Sequence, residues 1–93
     1  MKYSYVLLSA RDGKFYIDCT EDLRERMQNH NQGAVRSTAN RRPLQLVYYE
    51  ACWSADDAYR RERYLKSGRG GWYLKQRLAS WLSQIRRDKL ERP

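Results

Sequence analysis

Five side chains in this sequence have the types and spacing needed for chemistry at a phosphate: Tyr5, Tyr16, Arg26, His30 and Glu62. Leu23, Arg26, Met27 and His30 fall at i, i+3, i+4 and i+7, so they share one face of a helix. Leu23 and Met27 suit a core-facing stripe. Arg26 and His30 break that rule together, and such departures gather at functional positions. Glu62 likewise sits on the apolar stripe of a second helix, between Ala58 and Leu65. A carboxylate can hold a divalent ion that polarises a phosphate. A guanidinium neutralises charge that grows on phosphoryl oxygens, and a phenol or imidazole handles protons. Together they form a set suited to phosphodiester hydrolysis. Each also has a plainer reading: the tyrosines as cross-strand packing, Arg26 as an i−4 partner of Asp22, His30 as a charge near a helix C-terminus, and Glu62 as the partner of a neighbouring arginine.

The elements that must position these residues follow in order. Tyr3 to Ser9 reads as a strand, with Tyr3, Tyr5 and Leu7 on one face. Asp12-Gly13 signals a hairpin. A second strand, Phe15 to Thr20, then pairs antiparallel with the first, with Tyr16, Asp18 and Thr20 on one side. Thr20 is the expected N-cap of a helix over Asp22 to Asn31, and Gly33 its left-handed terminator. The polar stretch 34–43, AVRSTANRRP, reads as a loop. Leu44 to Glu50 is a third strand, with Leu44, Leu46 and Tyr48 on one face. A helix capped at Ser54 runs to Lys66. Gly68-Arg69-Gly70-Gly71 reads as a flexible basic turn, and a last helix covers Trp72 to Arg86. The resulting ββαβαα order predicts an α+β fold, a three-stranded antiparallel sheet flanked by helices. One domain over residues 1–86 is expected, followed by a frayed basic tail at 87–93.

Composition bounds the partner. The 93 residues carry a net charge of +8, which favours a polyanion, most commonly nucleic acid. Residues 51–93 supply most of it, with 11 Lys and Arg against 5 Asp and Glu. Arg36, Arg41, Arg42, Lys66 and Arg69 are the expected phosphate contacts, which position a nucleic acid without reading its sequence. Trp53 and Trp72 are candidates for stacking on unpaired bases, with packing as the alternative. Two cysteines and one histidine cannot complete a four-ligand zinc site. The short apolar run at the N-terminus and the absence of a membrane-length segment lead to the expectation of a cytoplasmic protein without membrane contact.

Tyr3-Ser4-Tyr5, then Tyr16-Ile17-Asp18, Thr20, Asp22-Leu23, Arg26 and His30, and finally AYRRERYLKSG around Glu62, resemble the motif of the GIY-YIG nuclease superfamily, in particular its small single-domain branch. The resemblance spans about residues 3–80. It implies a divalent-metal-dependent endonuclease that cleaves phosphodiester bonds, with DNA expected as the substrate ahead of RNA. Recognition of branched, damaged or irregular structures, as in DNA repair, is expected rather than sequence reading. By the same resemblance, Tyr16 is the base or water-orienting phenol, Tyr5 supports it, and Arg26 stabilises the phosphoryl transition state. His30 assists proton movement or phosphate contact, and Glu62 binds Mg²⁺ or Mn²⁺. A monomer or weak dimer is expected, with a protein partner left open. Asp18 departs from the motif, which has glycine there. It can crowd the site, offer a second metal oxygen, or pair with Arg26. The alternative function is therefore a catalytically impaired nucleic-acid-binding module of the same fold.

Overall fold

A computed structural model describes residues 1–91, with side chains through Asp88. Two compact units are formed, Met1–Arg63 and one that begins at Tyr64. The first holds an antiparallel sheet of β1 (Lys2–Ser9), β2 (Phe15–Thr20) and β3 (Leu44–Cys52), in the order β2-β1-β3. α1 (Leu23–Asn31) follows β2, and a short 3-10 turn at Ala39–Arg41 interrupts the loop before β3. α2 (Ala55–Lys66), α3 (Gly68–Arg77) and α4 (Ala79–Glu91) complete the chain. The α+β architecture is the expected one. Among the described residues no helix is long and apolar enough to cross a membrane.

The hairpin closes as Asp-Gly predicts. Gly13 takes φ +70°, and Ser9 N–H donates to the Lys14 carbonyl at 3.1 Å. The buried Ser9 hydroxyl accepts from the N–H groups of Arg11 and Asp12 and donates to the Arg41 carbonyl, which ties the later loop to the turn. Register sets the faces. Tyr5 pairs with Asp18 and Leu7 with Tyr16, so all four project to one side. Leu23 and Met27 of α1 pack against Tyr5, Leu7 and Leu44 there. On the other side, Ser4 Oγ and Cys19 Sγ both donate to the Ala58 carbonyl of α2, at 3.0 and 3.3 Å. Arg61 of α2 bonds Glu50 of β3 at 2.8 Å.

Several sequence expectations are corrected. Asp22, not Thr20, is the N-cap of α1, because its carboxylate accepts from Glu25 N–H at 3.0 Å while Thr20 bonds the backbone of Asp22. Tyr48 does not share a face with Leu44 and Leu46. The partners of β1 jump from Tyr48, opposite Val6, to Leu46, opposite Leu7. This bulge leaves Val47 over and reverses the alternation, so Tyr49 comes to face Tyr5. The glycine-rich segment is helix, not turn. Ser67 caps α3 by accepting from Gly70 N–H, and Gly70 is buried where a Cβ would run into the backbone of Tyr64 and Leu65. Its glycine serves close packing. The expected final helix is divided at Leu78, the C-cap of α3, and α4 continues to Glu91 through most of the expected tail. Residues 92–93 lie outside the described residues.

Candidate active site

Four of the five expected site residues meet on one face of the sheet. Tyr5 and His30 are fully buried. The Tyr5 hydroxyl lies 2.8 Å from His30 Nε2 and receives Arg26 Nε at 3.1 Å. His30 Nδ1 lies 2.7 Å from Thr38 Oγ1, and Thr38 also reaches the Val35 carbonyl. The Tyr5 oxygen can accept from more than one side, so the direction is set at the far end, where Thr38 donates to the Val35 carbonyl and is left to accept from Nδ1. Arg26 donates to Tyr5, Tyr5 donates to Nε2, and the imidazole is left with its proton on Nδ1, donated to Thr38. Burial, with the Arg26 charge nearby, holds His30 below its ordinary value, consistent with a neutral ring. Burial pushes the Tyr5 phenol up to about 12 despite its bond to Arg26. Every member of this chain is satisfied, which makes it a rigid mount for Arg26.

Tyr16 stands beside this chain, its ring edge-on to His30 at 5.4 Å between centroids. Its hydroxyl accepts from Ser37 Oγ at 3.2 Å and donates to Asp18 Oδ2 at 2.9 Å. Burial above all, with the Asp18 carboxylate, raises its pKa, so it is a neutral phenol near pH 7. Asp18 Oδ2 also receives Arg26 at 3.2 Å, and Oδ1 receives the Cys19 N–H. Of the three roles open to Asp18, the structure shows the ion pair with Arg26. The hydroxyls of Ser37 and Thr38 were not foreseen as parts of the cluster. Their signal was a run of small polar residues in a loop otherwise rich in arginine.

Glu62 enters from α2, against the β2 residue next to Asp18. Its carboxylate interacts with the Cys19 thiol, whose side chain leaves β2 on the opposite side from Asp18. Burial, then Glu62, pushes that thiol up to about 11, so it is protonated near pH 7. Among the described residues no group of three or more His, Cys, Asp or Glu is gathered for a metal ion. One half-buried carboxylate suits a hard ion that keeps most of its waters, as magnesium does, and does not suit a soft one.

The expected phosphate contacts divide. Arg36, Arg42, Lys66 and Arg69 are exposed. Arg42 also donates to the Ala39 carbonyl and lies over Gly33, the terminator of α1 at φ +80°. Arg41 is committed elsewhere: it pairs with Asp12 at 2.7 Å and reaches the carbonyls of Lys14 and Phe15. Its guanidinium holds the Asp12 carboxyl down at about 2. Arg41 therefore fastens the loop to the hairpin.

Comparison with known proteins bears on this geometry. The family model described as the GIY-YIG catalytic domain matches residues 1–75. A "UPF0213 protein" of Lacticaseibacillus paracasei is 42% identical over 65 residues, covering 69% of this chain and 72% of the relative. One from Streptococcus pneumoniae is 40% identical over 65 residues, covering 69% of this chain and 65% of the relative. One from Bacillus pumilus is 38% identical over 66 residues, covering 70% and 66%. The chain thus spans about two thirds of the length of these relatives. No solved structure matches it. On the strength of a family match that takes in Tyr5, Tyr16, Arg26, His30 and Glu62 alike, the chain belongs to the GIY-YIG nuclease-domain family.

Proposed function

We propose that this protein is a divalent-metal-dependent endonuclease that hydrolyses phosphodiester bonds in DNA, selecting irregular or branched structures rather than sequence. The observation that carries the reading is Arg26, mounted on the Tyr5–His30–Thr38 chain and placed beside the Tyr16 phenol. In this reading Arg26 neutralises charge on the phosphoryl oxygens. Tyr16, a neutral phenol, orients the attacking water, and Ser37 steadies it. Tyr5 and His30 hold Arg26 in place. Glu62 is the residue that would hold Mg²⁺ or Mn²⁺, which when bound would polarise the phosphate. The family match runs past Arg63 to residue 75, which supports one functional domain over residues 1–86.

The test is cleavage of supercoiled plasmid and of branched DNA by the purified protein with Mg²⁺ or Mn²⁺. Cleavage is expected to stop on chelation and in Glu62→Ala. Cleavage that survives in Glu62→Ala would remove Glu62 from the site.

A second reading rests on Asp18. Its carboxylate occupies both Arg26 and Tyr16, so it competes with a phosphate for the two groups that would do the chemistry. If that competition is complete, the protein binds nucleic acid without cutting it. Asp18→Gly separates the two readings. Under the first, the parent cuts and the variant is faster, by about tenfold for roughly 1.4 kcal/mol of relieved competition. Under the second, only the variant cuts.

A further inference from the structure

The tryptophans stand in different surroundings. Trp81 is half-buried, whereas Trp53 is 84% exposed and Trp72 66% exposed, so neither of the last two is a packing residue. Trp72 lies two residues before the buried Leu74, roughly 200° around α3, and therefore projects from the side opposite to Leu74 and Gly70. Arg69 at i−3, Lys75 at i+3 and Gln76 at i+4 share that outward side, and all three are exposed. An indole thus stands between two cations along roughly 9 Å of helix. α3 carries no acidic residue. Trp53 has the opposite setting, since the first turn of the helix that follows it presents Asp56 and Asp57, both exposed.

An exposed aromatic face stacks on any base, provided the base is unpaired, and neighbouring cations attract the phosphates on either side. In a duplex the bases are already stacked on each other, and only the cations gain a contact. We propose that the Arg69–Trp72–Lys75–Gln76 face of α3 binds an unpaired nucleic-acid strand. Trp72 stacks on a base, Arg69 and Lys75 take the flanking phosphates, and Gln76 bonds a base edge or sugar. The inference rests on the nucleic-acid reading proposed above and supplies a source for structure selectivity: a frayed, gapped or branched site offers the unpaired base that a continuous duplex withholds.

The test is fluorescence anisotropy with the full chain, using a labelled oligothymidine and a blunt duplex of equal length. Trp72→Ala is expected to weaken single-strand binding about tenfold while duplex binding changes by less than about twofold. Trp53→Ala is expected to leave both unchanged. Arg69→Ala with Lys75→Ala is expected to weaken both and to lower the salt slope by about 2. Equal single-strand affinity in the parent and Trp72→Ala overturns the proposal, and so does an equal loss in Trp53→Ala. Self-association of the parent that disappears in Trp72→Ala also overturns it and makes this face a contact between copies. A parent that binds neither probe overturns the nucleic-acid reading itself, an outcome distinct from binding that ignores Trp72.

Discussion

At the scale of residues, the buried chain from Arg26 to Thr38 is what separates this cluster from a set of ordinary strand tyrosines. In the proposed reaction Thr38 is a positioning residue, since its hydroxyl is engaged by His30 and the Val35 carbonyl. Replacing it with valine leaves the Nδ1 proton of His30 buried without an acceptor, which costs about 1–3 kcal/mol. Thr38→Val is therefore expected to lower both the urea midpoint and the cleavage rate, and Thr38→Ser to restore both. A serine variant as impaired as the valine one would mean that the methyl group matters and the hydrogen bond does not. The state of His30 also makes a pH prediction. Its folded pKa lies below the ordinary 6.5, so between these two values the unfolded chain binds a proton that the folded protein does not. Its contribution to stability is complete above pH 6.5 and falls as pH drops toward the lowered value. Unfolding at about pH 7.5 and about pH 5.5 should show this loss in the parent, with a smaller slope in His30→Gln. Equal slopes would contradict the neutral, buried assignment.

At the scale of elements, local signals and tertiary demands divide what was legible. The Asp-Gly turn, both strands of the hairpin and the first helix follow from patterns within a few residues of each other, and the structure has them where the patterns place them. The family motif led to Tyr5, Tyr16, Arg26 and His30, which do meet. Three features could not be decided from the sequence because each depends on a distant partner. The bulge at Val47 is a mismatch of β3 with β1. The pairing of Asp18 with Arg26 needs α1 folded over β2. Gly70 looks like a turn glycine until the backbone at Tyr64 and Leu65 occupies the space of its Cβ. Gly70 and Gly71 make a direct comparison. Gly70→Ala forces a methyl group into that backbone and is expected to cost about 1–3 kcal/mol or more. Gly71 has nothing within 4 Å of its Cβ position, so Gly71→Ala is expected to stabilise α3 by up to about 1 kcal/mol. Circular dichroism melts of the two variants should move in opposite directions. Parallel destabilisation would mean that the segment needs flexible glycines, as its sequence first reads.

At the scale of the whole molecule, charge bears on the proposed partner and the site on the proposed chemistry. A net charge of +8 with exposed Arg36, Arg42, Lys66 and Arg69 makes binding depend on counterion release. Affinity for duplex DNA is expected to fall by roughly a hundredfold or more between about 50 and 200 mM salt. A salt-independent affinity would place the contacts away from these four side chains. Arg41→Ala, by contrast, is expected to act mainly on stability, because its guanidinium already belongs to Asp12. The central claim remains that Arg26 acts on a phosphate. The measurement that tests it most directly is the single-turnover rate of plasmid nicking by the parent and by Arg26→Ala, in Mg²⁺, with binding and folding of both checked beforehand. The expected result is a rate lower by about 10²–10³ in the variant, with DNA affinity changed by only a few fold. Equal rates in a folded, DNA-binding Arg26→Ala protein would contradict the account and place the chemistry elsewhere.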